Sequence, residues 1–159
     1  MSISFEVPGY QEYTIKNIVF DLNGTLTVNA ELRATTKELL MQLSKKVSLY
    51  VLTADTHNSL SAIQQSIGNY AVVKAVDGEH TAVAKRNFIK ELGLGCTAAL
   101  GNGANDVDML EEAALAIAVL DGEGCYAGLP VKADILVRSI DDALKMLLEP
   151  RFIIATLRR

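Results

Sequence analysis

The sequence has no tryptophan, two cysteines, three prolines and an aromatic content of only 6%. No proline-rich or low-complexity stretch is present that would indicate a linker. Cys96 and Cys125 lie far apart, with no spacing typical of a metal site. We therefore interpret both as free, buried, apolar side chains in a reducing compartment rather than as a disulfide.

Charge is also sparse. Only 21% of the residues are charged, the net charge is −4, and no basic run occurs, which disfavours nucleic acid and anionic membranes as partners. Glu6 and Pro8 interrupt any secretory signal at the start. The uncharged stretch at residues 56–73 carries too many polar groups to face lipid. We expect a cytoplasmic protein without a membrane span.

Hydrophobic residues, in contrast, make up half of the chain, and the mean hydropathy is +0.23. A chain of 159 residues has the length of one domain, so we expect residues 1–159 to form a single domain with its own core. This composition is typical of α/β proteins whose strands are buried on both faces.

Apolar runs and helical patterns alternate along the chain. Residues 3–7 and 13–15 predict an N-terminal β-hairpin around Pro8 and Gly9. Further strands are predicted at residues 18–20, 47–52, 71–73, 98–100, 115–119 and 134–137. Thr35 with Glu38 forms a capping-box pattern for the first helix, and Ser139 with Asp142 opens the last. The alternation predicts a doubly wound, mostly parallel sheet with helices on both faces.

Polar segments follow three of these strands. They are residues 21–26 (DLNGTL), 53–56 (TADT) and 101–106 (GNGAND). Each alone has an ordinary interpretation as a helix cap or a turn. In a doubly wound sheet, however, ligands bind beyond the carboxyl ends of the strands, and all three segments are predicted at that edge. Together they predict one functional site.

The residue types in these segments suit a phosphoryl group. The Asp21 carboxylate can attack phosphorus, and the Thr53 hydroxyl with helix amides can hold phosphate oxygens. Carboxylate and amide oxygens on a neighbouring loop can bind Mg²⁺. A cation must separate the carboxylate from the phosphate. Lys85, near the start of the third predicted helix, is well placed, and Lys74 and Lys90 are the competitors.

The ordered set resembles the four motifs of the haloacid dehalogenase (HAD) superfamily. Residues 21–26 resemble its first motif, Asp-x-Asp-Gly-Thr, and residues 51–55 its second. Lys85 and residues 101–106 resemble the third and fourth motifs. The motifs are closest to those of P-type ATPase phosphorylation domains, and the chain resembles the free-standing, soluble members of that group over about residues 18–137.

The resemblance implies a role for each matching position. Asp21 would be the nucleophile that forms an aspartyl-phosphate. Asn23 occupies the acid/base position, and Thr53, Ala54 and Lys85 would bind and neutralise the phosphate. These roles imply a Mg²⁺-dependent phosphatase acting on a small phosphorylated substrate.

The metal site is implied in the same way. Its ligands would be Asp21, the backbone carbonyl of Asn23, Asn102 and Asp106, with Asn105 in a supporting position. Mg²⁺ is the implied cofactor, because it prefers such oxygen ligands.

Two positions depart from the superfamily pattern. Asn23 stands where its phosphatases have an acid/base Asp, and an amide cannot transfer that proton. Asn102 stands where the superfamily has a metal-binding Asp, which predicts weaker Mg²⁺ binding. Three interpretations stay open: a slow phosphatase, a stably autophosphorylated ATP-linked protein, and a regulatory or binding module with little catalysis.

The sequence leaves no room for a cap domain over the site. One helix, one strand and loops fill each interval between Asp21, Thr53 and Lys85. A homo-oligomer could cover the open site, through the hairpin or through residues 152–157. Those tail residues could instead close the chain's own core. The loop at residues 27–33 is a second candidate for gating the entrance.

Overall fold

The N-terminal segment forms the predicted hairpin. The computed structural model describes residues 1–54 and 58–159, without the side chains of residues 58 and 59. Strands β1 (Ile3–Val7) and β2 (Gln11–Ile15) pair antiparallel. The rings of Phe5 and Tyr13, which face each other across the pair, stack with their centroids 4.9 Å apart. This aromatic cross-strand pair helps to fix the register of the hairpin.

A six-stranded parallel sheet forms the centre of the molecule. Its strands are β3 (Asn17–Asp21), β4 (Ser48–Thr53), β5 (Val72–Ala75), β6 (Thr97–Gly101), β7 (Leu115–Val119) and β8 (Ile135–Val137). The spatial order is β5-β4-β3-β6-β7-β8. Successive strands are therefore added on one side of β3 as far as β5 and on its other side from β6 onward. Ligands bind at this switch point between β3 and β6 in such sheets.

Helices cover both faces of this sheet. They are α1 (Ala34–Ser44), α2 (Asn58–Ile67), α3 (Thr81–Leu92), α4 (Val107–Glu112), α5 (Ile140–Leu148) and α6 (Arg151–Leu157). One core lies under α1, α2, α5 and α6, and a second lies under α3 and α4. The predicted doubly wound fold with an N-terminal hairpin is confirmed. Within the described ranges, no helix has the length and apolar character needed to cross a bilayer.

Burial on both faces explains the continuous apolar run of β3. Ile18 and Phe20 belong to the larger core and Val19 to the smaller one, and all three are fully buried. Because successive strand side chains point to opposite faces, only an uninterrupted apolar sequence fits a strand covered on both sides.

Two local predictions have different outcomes at the helix ends. The Ser139 hydroxyl accepts a hydrogen bond from the Asp142 amide at 3.1 Å, so the predicted cap of α5 is confirmed. The predicted capping box at Thr35 is wrong, because α1 begins at Ala34. The hydroxyls of Thr35 and Thr36 donate instead to the Asp141 carboxylate at the start of α5.

The tail closes the chain's own core. Residues 152–157 lie in α6, where Ile153 is fully buried in the larger core. The Arg159 amide donates to the Pro8 carbonyl at 3.1 Å, which joins the tail to the hairpin turn. Cys96 and Cys125 are both free, as expected, although each is half-buried rather than fully buried.

Candidate active site

The three polar segments meet at one edge of the sheet. Asp21 ends β3, Thr53 ends β4, and Asn102 follows β6 directly. Because β4 and β6 flank β3 in parallel register, their carboxyl ends bring these residues together. Asp55 and Thr56, which complete the second segment, lie outside the described residues.

A polar cleft of about 250 Å³ opens at this edge. Its lining consists of Asp21, Asn23, Thr53, Ala54, Lys85, Asn102, Gly103 and Asn105. The structure thus brings all the predicted site residues together: every one lines the cleft except Asp106, which is fully buried but hydrogen-bonded to Lys85 and to the Asn102 amide. Gly103 is the one lining residue for which the sequence suggested no role.

Lys85 occupies the centre of the site. It lies on the buried stripe of α3, between Thr81 and Ile89, and is 1% exposed. Its ammonium donates to one oxygen of Asp21 at 2.5 Å and to one oxygen of Asp106 at 2.8 Å. A buried cation needs such partners, because an unpaired buried charge is strongly unfavourable.

The two competing lysines have other partners. The Lys74 ammonium lies 4.7 Å from the centroid of the Phe88 ring, and Lys90 pairs with Glu112 at 3.4 Å. Of these three lysines, only Lys85 lines the cleft. Its placement agrees with the sequence preference for Lys85 over the competitors.

The electrostatic balance keeps Asp21 and Lys85 as an ion pair near neutral pH. Burial, and then the nearby charge of Asp106, raises the pKa of Asp21 to about 6, although Lys85 opposes this shift. Burial alone would lower the pKa of Lys85, but the carboxylates of Asp21 and Asp106 outweigh it and the net shift is upward. Lys85 therefore stays protonated where Asp21 is ionised.

Thr25 contacts the remaining oxygen of Asp21. Its hydroxyl lies 3.2 Å from Asp21 Oδ2 and 2.9 Å from the side-chain oxygen of Asn102. A hydroxyl has one proton, so it can donate to only one of these two acceptors at a time. Thr25 belongs to the first polar segment, although the sequence analysis assigned it no contact with Asp21.

Asp106 organises the loop after β6. One carboxylate oxygen accepts from Lys85, and the other accepts from the amides of Asn102 and Gly103, both at 3.0 Å. A Cβ on Gly101 would overlap this side chain, so glycine is required there. Both oxygens of Asp106 already have partners, and this geometry supports a role in positioning Lys85 and the loop.

The segment after β7 also reaches the site, although the sequence did not single it out. The Asn102 side-chain amide donates to the Gly124 carbonyl at 3.2 Å, and the Tyr126 amide donates to the Asn102 carbonyl at 2.7 Å. Asp121 forms a bidentate ion pair with Arg33, at 2.7 and 2.9 Å. Asp121 follows a predicted strand at the same edge, so the rule that found the other segments could have found this one.

The described part of the site has no cluster of three acidic, His or Cys side chains that could bind a metal ion. Across residues 1–54 and 58–159, no three such side chains lie together in a way that could hold a metal ion. The side chains with oxygen atoms that line the cleft are instead one carboxylate, from Asp21, the Thr53 hydroxyl, and the amides of Asn23, Asn102 and Asn105.

Comparison at the sequence level finds a partial relative. No family model matches the chain. A stretch of 60 residues is 42% identical to the uncharacterized protein MJ0073 of Methanocaldococcus jannaschii, and it covers 38% of this chain and 64% of that relative. The chain thus spans slightly less than two thirds of the curated relative that it matches.

Solved structures of phosphatases share the architecture. The cobalt-bound deoxy-D-mannose-octulosonate 8-phosphate phosphatase of Haemophilus influenzae superposes with a TM-score of 0.69, at 16% identity over 87% of this chain and 90% of that one. The Moraxella catarrhalis 3-deoxy-D-manno-octulosonate 8-phosphate phosphatase, in complex with magnesium and phosphate, gives 0.67 at 18% identity over 89% and 92%. The Yersinia pestis enzyme gives 0.69 at 11% identity over 98% and 96%.

The chain therefore has the HAD-like fold that its motifs predicted. Between β3 and α3, the described residues form only α1, β4, α2, β5 and their loops, and they include no cap domain.

Proposed function

We propose that this protein is a Mg²⁺-dependent phosphatase that acts on a small phosphorylated substrate through an aspartyl-phosphate on Asp21. The observation that carries the proposal is the asymmetric environment of this carboxylate. Asp21 Oδ1 is held by Lys85 at 2.5 Å, whereas Oδ2 has a longer contact, of 3.2 Å, with the Thr25 hydroxyl. We therefore assign the attack to Oδ2, because Oδ1 is the oxygen that Lys85 holds.

The reaction would proceed in two displacements. Asp21 Oδ2 forms a bond to phosphorus while the bond between phosphorus and the leaving oxygen breaks, and the leaving group departs with that electron pair. Water then attacks the same phosphorus and breaks its bond to Asp21, which restores the carboxylate and releases phosphate. Lys85, protonated throughout, offsets the negative charge, and Thr53 with Ala54 supports binding of the phosphoryl oxygens.

The cleft residues fit Mg²⁺ as an oxygen-binding ion. Asp21, the Asn23 carbonyl and the Asn102 side-chain oxygen would hold it, and when bound it would supply positive charge opposite the phosphate. Asp106 contributes to this proposal through Lys85 and the loop, because it is fully buried and does not line the cleft. With one carboxylate among these three ligands, we expect weak binding.

Asn23 limits the class of substrate. It lines the cleft but its amide cannot protonate a leaving oxygen, so acyl and aryl phosphates, which need no such proton, should react best. The phosphatase fold of the structural neighbours supports hydrolysis over the ATP-linked alternative, for which the described residues provide no nucleotide-binding domain. A second copy covering the open cleft would use the outward face of α6 or another surface, because Ile153 packs on its own chain.

The experiment that tests this proposal combines turnover with detection of the adduct. Wild-type protein, Asp21→Asn and the matched control Asp108→Asn are incubated with Mg²⁺ and either acetyl phosphate or p-nitrophenyl phosphate. Asp108 lies outside the cleft lining and is the control for loss of one carboxylate. We expect a phosphoryl adduct in the acid-quenched intact mass, and turnover, in the wild type and the control. Asp21→Asn should show neither, with a rate reduced by at least ~10³-fold.

Each other outcome has a definite meaning. Turnover that persists in Asp21→Asn would refute the nucleophile assignment. An adduct that forms on the wild type but does not hydrolyse would favour a stable phosphoprotein. Absence of both adduct and turnover in folded wild-type protein would favour the regulatory module.

A further inference from the structure

The loop that follows β7, residues 120–126, is joined to the cleft through Asn102. We call it the β7 loop. The Asn102 side-chain nitrogen donates to the Gly124 carbonyl at 3.2 Å, while the Tyr126 amide donates to the Asn102 backbone carbonyl at 2.7 Å. Gly124 has a φ of 81°, and its amide bonds to the Asp121 carbonyl at 2.8 Å. The loop therefore turns its Gly124 carbonyl directly toward Asn102.

A second set of contacts fixes the other side of the same loop. Arg33 holds both oxygens of Asp121, and the Asn29 amide donates to a carboxylate oxygen of Glu123 at 3.1 Å. Asn29 and Arg33 belong to the loop after the candidate nucleophile, at residues 27–33. The β7 loop thus connects that loop with the loop after β6, which carries Asn102.

The two ends of the Asn102 carboxamide make different contacts. Its oxygen accepts from the Thr25 hydroxyl, which also contacts Asp21, and its nitrogen donates to Gly124. Only an amide can accept at one end and donate at the other, because an ionised carboxylate has no hydrogen to donate. An Asp at this position would place a negative oxygen against the Gly124 carbonyl, which is also an acceptor.

We propose that Asn102 is a positioning residue that bridges the nucleophile side of the cleft to the β7 loop, and that the bridge requires the amide. This differs from the simplest interpretation of the sequence, in which Asn102 is a weakened form of a metal-binding Asp. In the bridge, the Asn102 amide accepts from Thr25 and donates to Gly124, a function that an ionised Asp could not perform. Its effect on catalysis rests on the proposed phosphatase function, whereas its effect on the loop does not.

Hydrogen exchange of the metal-free protein tests the bridge without any substrate. Asn102→Asp and Asn102→Ala are compared with wild type, and Asn105→Asp and Asn105→Ala are matched controls. Asn105 also lines the cleft as an amide, but among the described residues it is Asn102 that forms the hydrogen bonds between the cleft and the β7 loop. We expect the Gly124 and Tyr126 amides to exchange about 5-fold faster or more in both Asn102 variants, at an unchanged melting temperature. The controls should exchange like the wild type.

Wild-type exchange rates in both Asn102 variants would overturn the bridge. Equal acceleration in the Asn105 variants would also overturn it, because the effect would then be a general one of altering the cleft. The Ala variant separates loss of the donor from the repulsion that a new carboxylate would add.

Kinetics at saturating Mg²⁺ test the requirement for the amide. If Asn102 positions the loop, Asn102→Asp should lower kcat/KM by about 5-fold or more, mainly through KM, in parallel with faster exchange. If Asn102 is only a metal ligand, the same variant should bind Mg²⁺ more tightly in calorimetry and raise kcat/KM, and that result would refute the requirement. Absence of turnover in the wild type would refute the phosphatase proposal, while the exchange experiment would still decide the bridge.

Discussion

Asn23 is the residue at which the proposed reaction lacks a proton-transfer group. It lines the cleft together with Asp21, and its backbone already takes part in the turn that follows β3. A carboxylic acid at this position could protonate the leaving oxygen and then take a proton from water. The amide can do neither, which explains the expected preference for substrates with good leaving groups.

We therefore expect Asn23→Asp to raise turnover of an alkyl phosphate by up to ~10²-fold, with a smaller gain on an aryl phosphate, because only the alkyl leaving group needs the proton. Steady-state rates at saturating Mg²⁺ measure the effect, and Asn105→Asp is the matched control for added charge in the cleft. An equal gain on both substrates, or in the control, would contradict this acid/base explanation.

The last helix shows how a terminal element contributes to the fold. Helix α6 places Ile153 in the larger core, fully buried, while its neighbour Phe152 is 45% exposed beside Arg151. An amphipathic helix of this length gains its stability from packing, since an isolated helix so short is marginal in water.

This packing predicts different costs for two adjacent truncations. Ile153→Ala should lower the free energy of unfolding by about 2–5 kcal/mol, because it leaves a cavity in the core. Phe152→Ala should cost less than about 1 kcal/mol, because its ring is half exposed. Urea unfolding at neutral pH measures both, and similar losses for the two variants would show that α6 is not seated as described.

Across the whole molecule, the Arg33–Asp121 ion pair joins parts of the chain that lie far apart in sequence. Asp121 also accepts from the Ile140 amide at 3.4 Å, so it contacts the start of α5. The Arg33 hydrogen bonds hold the pKa of Asp121 below its usual value. A carboxylate with a lowered pKa stabilises the fold above its unfolded-state pKa, and this contribution is lost as pH falls through the folded value.

We therefore expect Asp121→Asn to lower the free energy of unfolding at pH 7 by an amount on the order of 1 kcal/mol. The loss is small because Arg33 is partly exposed and water screens its charge. The difference from wild type should shrink below about pH 4, as the wild-type carboxyl becomes protonated. Urea midpoints at pH 7, 5 and 3 measure it. A difference that stays constant over this range would assign the loss to packing rather than to charge.

Much of the site could be predicted because its signals are local in the sequence. Asp21, Thr53 and Asn102 each follow an apolar strand, and parallel strands bring their carboxyl ends to one edge regardless of the loops between them. Lys85 was predicted from its position near the start of the third predicted helix and from its match to the third motif, and the structure buries it beside Asp21.

The partners of these residues depended on packing between distant segments. The capping pattern at Thr35 is a valid local signal. Packing, however, brings the Asp141 carboxylate close, and this carboxylate accepts hydrogen bonds from the hydroxyls of Thr35 and Thr36. The orientation of Asp106 and the bridge from Asn102 to Gly124 have the same origin.

The sequence by itself thus determined the order of strands and helices, the HAD-like fold and the edge at which the polar residues collect. The order of elements and this edge follow from periodicity and from the polar segments at strand ends, which depend on near neighbours in the chain. The HAD-like fold follows from the resemblance of the four motifs. Only the tertiary structure decided that Lys85 holds one oxygen of Asp21 while Thr25 contacts the other, and that Asn102 contacts both Thr25 and the β7 loop. Those contacts join residues far apart in sequence, so they exist only once the sheet has brought its strand ends together.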